Sequence, residues 1–167
     1  MNLNELIKRK DIKPKEKTEA LAATILDGEL AVLDVIQFAN TAKEPLKATC
    51  MEAFEYATSN KPEVANSDLF KFATDHLGAK ASRLKWESAK VIGNIAHLFA
   101  EDLETTIERL LENTQDSGTV VRWSAAYALT QIYSLPKYAN DAFRSKLAEI
   151  CEAEEKASIR KIYLKVL

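Results

Sequence analysis

Apolar residues along this chain recur every three to four positions, and no segment alternates with the period of two that marks a half-buried strand. Leu3, Leu6 and Ile7 share one side of a short opening helix. Leu21, Ala22, Ile25 and Leu26 mark a second. Pro14 suits its first position and Gly28 the residue just past its end. The same reasoning predicts helices over 29–40, 45–59, 67–77, 82–99, 101–114, 119–134, 138–152 and from 156 onward, with short connections. The pattern is all-α.

Four of these helices fall into one register. Lys47, Lys85, Arg122 and Arg160 recur at intervals of 38, 37 and 38 residues. Flanking columns keep their chemistry: Leu46, Leu84, Val121, Ile159; Ala53, Val91, Ala128, Val166; Phe54, Ile92, Leu129, Leu167. A period of this size means stacked units that cannot bury their apolar faces alone. In the second unit Leu84, Ser88, Val91, Ile92 and Ile95 line one side, and in the third Val121, Ala125, Ala128, Leu129 and Ile132 do so. Small residues at Cys50, Ser88 and Ala125 suit the close approach of a neighbouring helix. The four helices are therefore read as the second helices of hairpins, with the more acidic helices between them as the first.

The stretch Asp116-Ser117-Gly118-Thr119-Val120-Val121-Arg122, running into Ala125, Ala126, Ala128 and Leu129, resembles the turn and second helix of a HEAT repeat. The resemblance covers roughly residues 29–167. It implies a right-handed α-solenoid of about four stacked hairpins, preceded by N-terminal capping helices over 1–28, all in a single domain. In that family an acidic turn residue and a basic residue of the second helix form a ladder between repeats. The matching positions here are Asp116 and Arg122, then Glu154 and Arg160, with Ala79 and Thr41 breaking the series. The last helix stops at Leu167, before any equivalent of Ile95 or Ile132, so the natural chain is expected to continue or to have been trimmed there.

Composition narrows the function. Apolar residues make up 47% and charged residues 29% of 167, as in a folded globular domain. A net charge of −2 gives no overall electrostatic attraction to nucleic acid or anionic membrane. No apolar run approaches the ~18 residues of a membrane span, and the charged N-terminus does not read as a signal peptide. Cys50 and Cys151 continue apolar stripes and read as buried free thiols in a reducing cytoplasm, with a disulfide as the competing reading. No nucleophile elbow, phosphate loop or metal-binding motif is present, so neither an enzyme nor a cofactor is expected. The pair Glu52 and Glu55 reads as solvated charge, and His76 and His97 lie too far apart in sequence to suggest a metal site.

What remains lies opposite the apolar stripe. Those positions form rows across the stack: Ala48, Trp86, Trp123, Lys161; then Glu52, Lys90, Tyr127, Lys165; then Glu55, Gly93, Thr130; then Ser59, His97, Ser134. In a solenoid of hairpins these rows face the concave groove. Both tryptophans share one row, and large exposed aromatics are what binding hot spots use. The competing reading wedges both between repeats as core. Residues 80–90 carry four basic residues against Glu87, and 101–116 carry six acidic residues against Arg109. The groove is thus expected to be mildly basic and the opposite side acidic.

The expected function is a macromolecule-binding scaffold that takes a protein or peptide along Trp86, Lys90, Trp123, Tyr127, Lys161 and Lys165. The alternative is nucleic-acid binding, because some HEAT-like alkylpurine DNA glycosylases also line their concave face with aromatic and basic residues. Their catalytic carboxylate motif has no match in this sequence.

Overall fold

The computed structural model describes residues 2–167, and within them the chain is all-helical. The helices are α1 (Leu3–Lys8), α2 (Pro14–Leu26), α3 (Val32–Thr41), α4 (Glu44–Asn60), α5 (Ser67–His76), α6 (Ser82–Ile95), α7 (Glu104–Asn113), α8 (Thr119–Tyr133), α9 (Asp141–Ala153) and α10 (Ala157–Leu164). Helices α3/α4, α5/α6, α7/α8 and α9/α10 are successive hairpins of an α-solenoid.

Local chemistry sets the boundaries. Asn66 and Asn140 cap α5 and α9, their side chains accepting from the N–H of Leu69 (3.0 Å) and Phe143 (2.9 Å). Gly28 takes φ +77° just beyond α2, a conformation other residues rarely adopt. That turn lets the N–H of Leu30 reach back to the Thr24 carbonyl at 3.1 Å, which keeps 29–31 out of α3. The start at Val32 is therefore three residues later than the periodicity suggests. Helix α6 ends at Ile95, not Phe99, and passes into two 3-10 turns, Ala96–Leu98 and Ala100–Asp102. Tyr138, expected to open α9, instead stays in the loop, where it is buried and its hydroxyl donates to the Ala100 carbonyl at 2.8 Å.

Helices α2, α4, α6, α8 and α10 form one layer in which each packs on the next. Cys50, Ser88 and Ala125 are fully buried, as are Ala53, Ala57, Ala89 and Ala126, and these small side chains let the helix axes approach closely. The outer helices touch each other more sparingly than the second helices do. Polar bonds also join the outer helices to one another. Thr74 meets Thr106 at 3.0 Å, Asn113 donates to the Leu77 carbonyl at 2.9 Å, and Arg109 to the Thr74 carbonyl at 2.9 Å. Cys50 and Cys151 are free and buried, and burial pushes the Cys50 thiol up to about 12.

Along one edge, basic residues of second helices reach the turn of the following hairpin. Lys85 donates to Asp116 at 2.8 Å, and Arg122 grips Glu154 with Nε at 3.0 Å and Nη2 at 3.3 Å. Arg122 also donates to the Asp116 and Ser117 carbonyls, and Arg160 to the Glu154 carbonyl at 2.6 Å. The Lys85 hydrogen bond holds the Asp116 carboxyl below its usual range. Burial pushes the Glu154 carboxyl up, but the Arg122 hydrogen bond and the Lys156 N–H outweigh it and lower it overall. Since the Glu154 side chain is only 5% exposed, removing its partner strands a buried charge. Arg122→Met is expected to cost about 3 kcal/mol in urea unfolding. Because both acids titrate low, the stability they supply should be present above the ordinary carboxylate range and fade as pH falls below it.

Candidate binding groove on the second helices

The side chains that α4, α6, α8 and α10 turn away from the outer helices line the candidate site. Trp123 on α8 is 38% exposed and stacks on Tyr127 one turn later, ring centroids 6.0 Å apart and planes 16° from parallel. The Tyr127 hydroxyl donates to Asn94 Oδ1 at 2.5 Å, and burial raises its pKa. The Asn94 amide in turn donates to the Glu55 carbonyl at 3.2 Å and to Thr58 Oγ1 at 3.1 Å. One chain of hydrogen bonds thus runs from α8 through α6 to α4. The Tyr127 ring lies against Gly93, where an added Cβ would fall 2.3 Å from ring carbon Cε1. The missing side chain is the space the ring occupies.

The other half of the site is ionic. Trp86 is half-buried, and its Nε1–H donates to Glu87 Oε1 at 3.0 Å. Glu87 is buried, and desolvation raises its pKa, opposed by Lys90 and the Trp86 hydrogen bond and reinforced by Glu52 and Glu55. Lys90 stands 3.6 Å from Glu55 and 3.7 Å from Glu87, while Arg83 pairs with Glu52. Lys90 therefore neutralises carboxylates, and the α4–α6 part of the groove is not the basic surface that residues 80–90 suggest.

Other row positions also differ in placement. Ala48 is 3% exposed, Gly93 lies beneath Tyr127, and Thr130 is buried with its hydroxyl on the Ala126 carbonyl at 2.8 Å. Close second-helix packing covers these three. Lys161 and Lys165 on the last hairpin are exposed and, among the described residues, make no side-chain hydrogen bond or ion pair. The sequence reading missed Glu87 and Asn94. Asn94 carried a faint signal, as a weak helix former beside a glycine within the helix expected over 82–99. Glu87 carried none, because its burial depends on how α6 is turned against α4.

No protein-family model matches the chain, and no curated protein matches its sequence. Its fold is similar to solved helical-repeat structures. It aligns with the complex of CpcE and CpcF of phycocyanin lyase from Nostoc sp. at TM-score 0.74 and 18% identity, covering 98% of this chain and 96% of that one. A designed armadillo repeat protein in complex with the peptide (KR)4 aligns at TM-score 0.68 and 16% identity, covering 98% and 78%. An engineered protein aligns at TM-score 0.71 and 16% identity, covering 99% and 78%. Together with the repeat geometry these neighbours show an all-α, HEAT-like solenoid. No helix among the described residues is long and apolar enough to cross a membrane.

Two expectations follow. Gly93→Ala should lower stability by about 1–2 kcal/mol in spite of better helix propensity, because the pinned Tyr127 ring must move. In a Tyr127→Ala background the same change should be neutral or stabilising, which a double-mutant unfolding cycle reads directly. Second, Glu87 has its folded pKa raised above the ordinary value of 4.5, so the folded state is favoured while it is protonated. Wild type should lose stability relative to Glu87→Gln as pH rises from about that value towards neutral. Urea midpoints of both proteins across that range check it.

Proposed function

We propose that the protein is a binding scaffold that takes a peptide segment of a partner protein along the groove of its second helices. The observation that carries this reading is the exposed Trp123 ring, held in stack on a Tyr127 that is itself fixed by Asn94 and seated on Gly93. A rigid aromatic surface loses little conformational entropy on binding, and tryptophan and tyrosine are the residue types on which interface energy concentrates. The half-buried Trp86 and its ion cluster form the α4–α6 side of the same groove, and the exposed Lys161 and Lys165 supply positive charge at its far end. That spread of aromatic, anionic and cationic groups suits a peptide with charges of both signs. Three carboxylates in the groove weigh against a phosphate backbone as the ligand. The designed armadillo protein with its bound peptide is a precedent for such a groove in this architecture. Arg122, Glu154, Asp116 and Arg160 belong in this reading to the joints between repeats and not to the ligand surface.

The test begins with selection of a random dodecapeptide library on the wild-type protein. Enriched peptides should bind saturably and lose at least about 2 kcal/mol of affinity to Trp123→Ala, as truncation of a hot spot does. The same variant should lose only about 1–2 kcal/mol of folding stability, since the ring is partly solvent-exposed. Failure to enrich any peptide, or enriched peptides that bind Trp123→Ala as tightly as wild type, would sink the proposal.

A further inference from the structure

Glu87 is 5% exposed, and its two oxygens are treated differently. Oε1 accepts from the Trp86 indole, while Oε2 is a buried side-chain oxygen with no hydrogen-bond partner among the described residues. A buried carboxylate oxygen without a donor is costly to keep. Two more carboxylates, Glu52 and Glu55, lie close enough to act on it, so three anions face two cations, Arg83 and Lys90. Arg83 is committed to Glu52. Lys90 is shared between Glu55 and Glu87 at 3.6 and 3.7 Å, beyond hydrogen-bond length to either. Its side chain is the more exposed partner of both pairs, at 29% against 19% and 7%. It screens charge there without satisfying lone pairs, and it has open solvent to move into.

We propose that this corner of the groove is a receptor for an arginine side chain of the bound peptide, which displaces the Lys90 ammonium and donates to Glu87 and Glu55 together. The proposal rests on the peptide-groove reading and names the chemistry of one of its ligand positions. Arginine fits where lysine does not. A second ammonium would only repeat what Lys90 does, whereas a guanidinium offers five donors in a planar fork that can serve two carboxylates and lie against an indole face. A metal ion is a poorer occupant, since no group of three or more His, Cys, Asp and Glu among the described residues is placed to hold one. Lys90 is on this view an internal stand-in for the ligand, and removing it should help binding.

The experiment uses the intact protein labelled with 15N and an octapeptide of alternating glycine and arginine. Citrulline in place of arginine supplies the uncharged control. The protein has two tryptophans, so its indole N–H region holds two signals, and Trp86→Phe assigns them. The arginine peptide should shift the Trp86 signal saturably, with the citrulline peptide binding at least about tenfold more weakly. Glu87→Gln, which keeps the shape of the side chain, should weaken the arginine peptide by a similar factor. Lys90→Met, which keeps the apolar stem, should bind it more tightly than wild type, by roughly threefold or more. Equal binding of the citrulline peptide, a Trp86 signal that does not move, or a Lys90→Met variant that binds no tighter overturns the proposal. The wild-type comparison of the two peptides stands even where a variant folds poorly. A shift at Trp123 without one at Trp86 would sink the arginine receptor while leaving the peptide groove intact.

Discussion

Close approach of successive second helices is the constraint on which the rest of this molecule depends. It is made possible by a file of small buried side chains, Cys50, Ala53, Ala57, Ser88, Ala89, Ala125 and Ala126, none larger than cysteine. Where backbones come this near, dispersion and desolvation act along the length of each helix, and each hairpin finds in its neighbour the apolar surface it lacks. The same approach decides what the groove can display. Ala48 and Thr130 lie under neighbouring helices, while Trp123 and Lys90 still reach outward. Gly93 extends this logic by one position, giving up its side chain so that a ring from the next helix can lie across the joint.

Charge is arranged in two places with opposite character. At the edge, each acid meets a basic group at hydrogen-bond distance, and Asp116 and Glu154 titrate low because pairing outweighs burial. In the groove, burial wins at Glu87, because its nearest cation stands off at 3.7 Å and serves a second carboxylate as well. The first pattern fixes neighbouring repeats in register. The second leaves polar groups under-satisfied beside a solvent-open surface, which is where an incoming donor gains most.

The chain's periodicity was enough to read the architecture. The column of Lys47, Lys85, Arg122 and Arg160 set the repeat length, and the Ser88 and Ala125 positions identified the helices that pack closely. Exact ends were less legible: the Gly28 turn that carries Leu30 back to Thr24 is local but consumes three residues that periodicity assigns to α3, and the reach of Tyr138 to Ala100 is a tertiary contact that no local propensity encodes. Trp123 and Tyr127 were read onto one side of α8 as neighbouring rows, and their stack on each other, natural for residues four apart on a helix, is added by the structure. The sign of the groove was not legible. Counting charges along 80–90 sets only Glu87 against four basic residues, and the approach of α4 is what brings Glu52 and Glu55 to Arg83 and Lys90. Linear charge describes a surface well when side chains point into water and poorly when two helices share them.

The fit of Tyr127 over Gly93 also restricts how this groove could have arisen. A glycine at 93 is a poor helix residue by itself, and an alanine there crowds a tyrosine ring at 127. Neither residue is favoured until the other is present, so the order of substitution matters. Once both are in place, a larger residue at 93 displaces the Tyr127 ring and with it the stack on Trp123. Changes of surface chemistry are therefore cheaper at the exposed residues around the platform than within it.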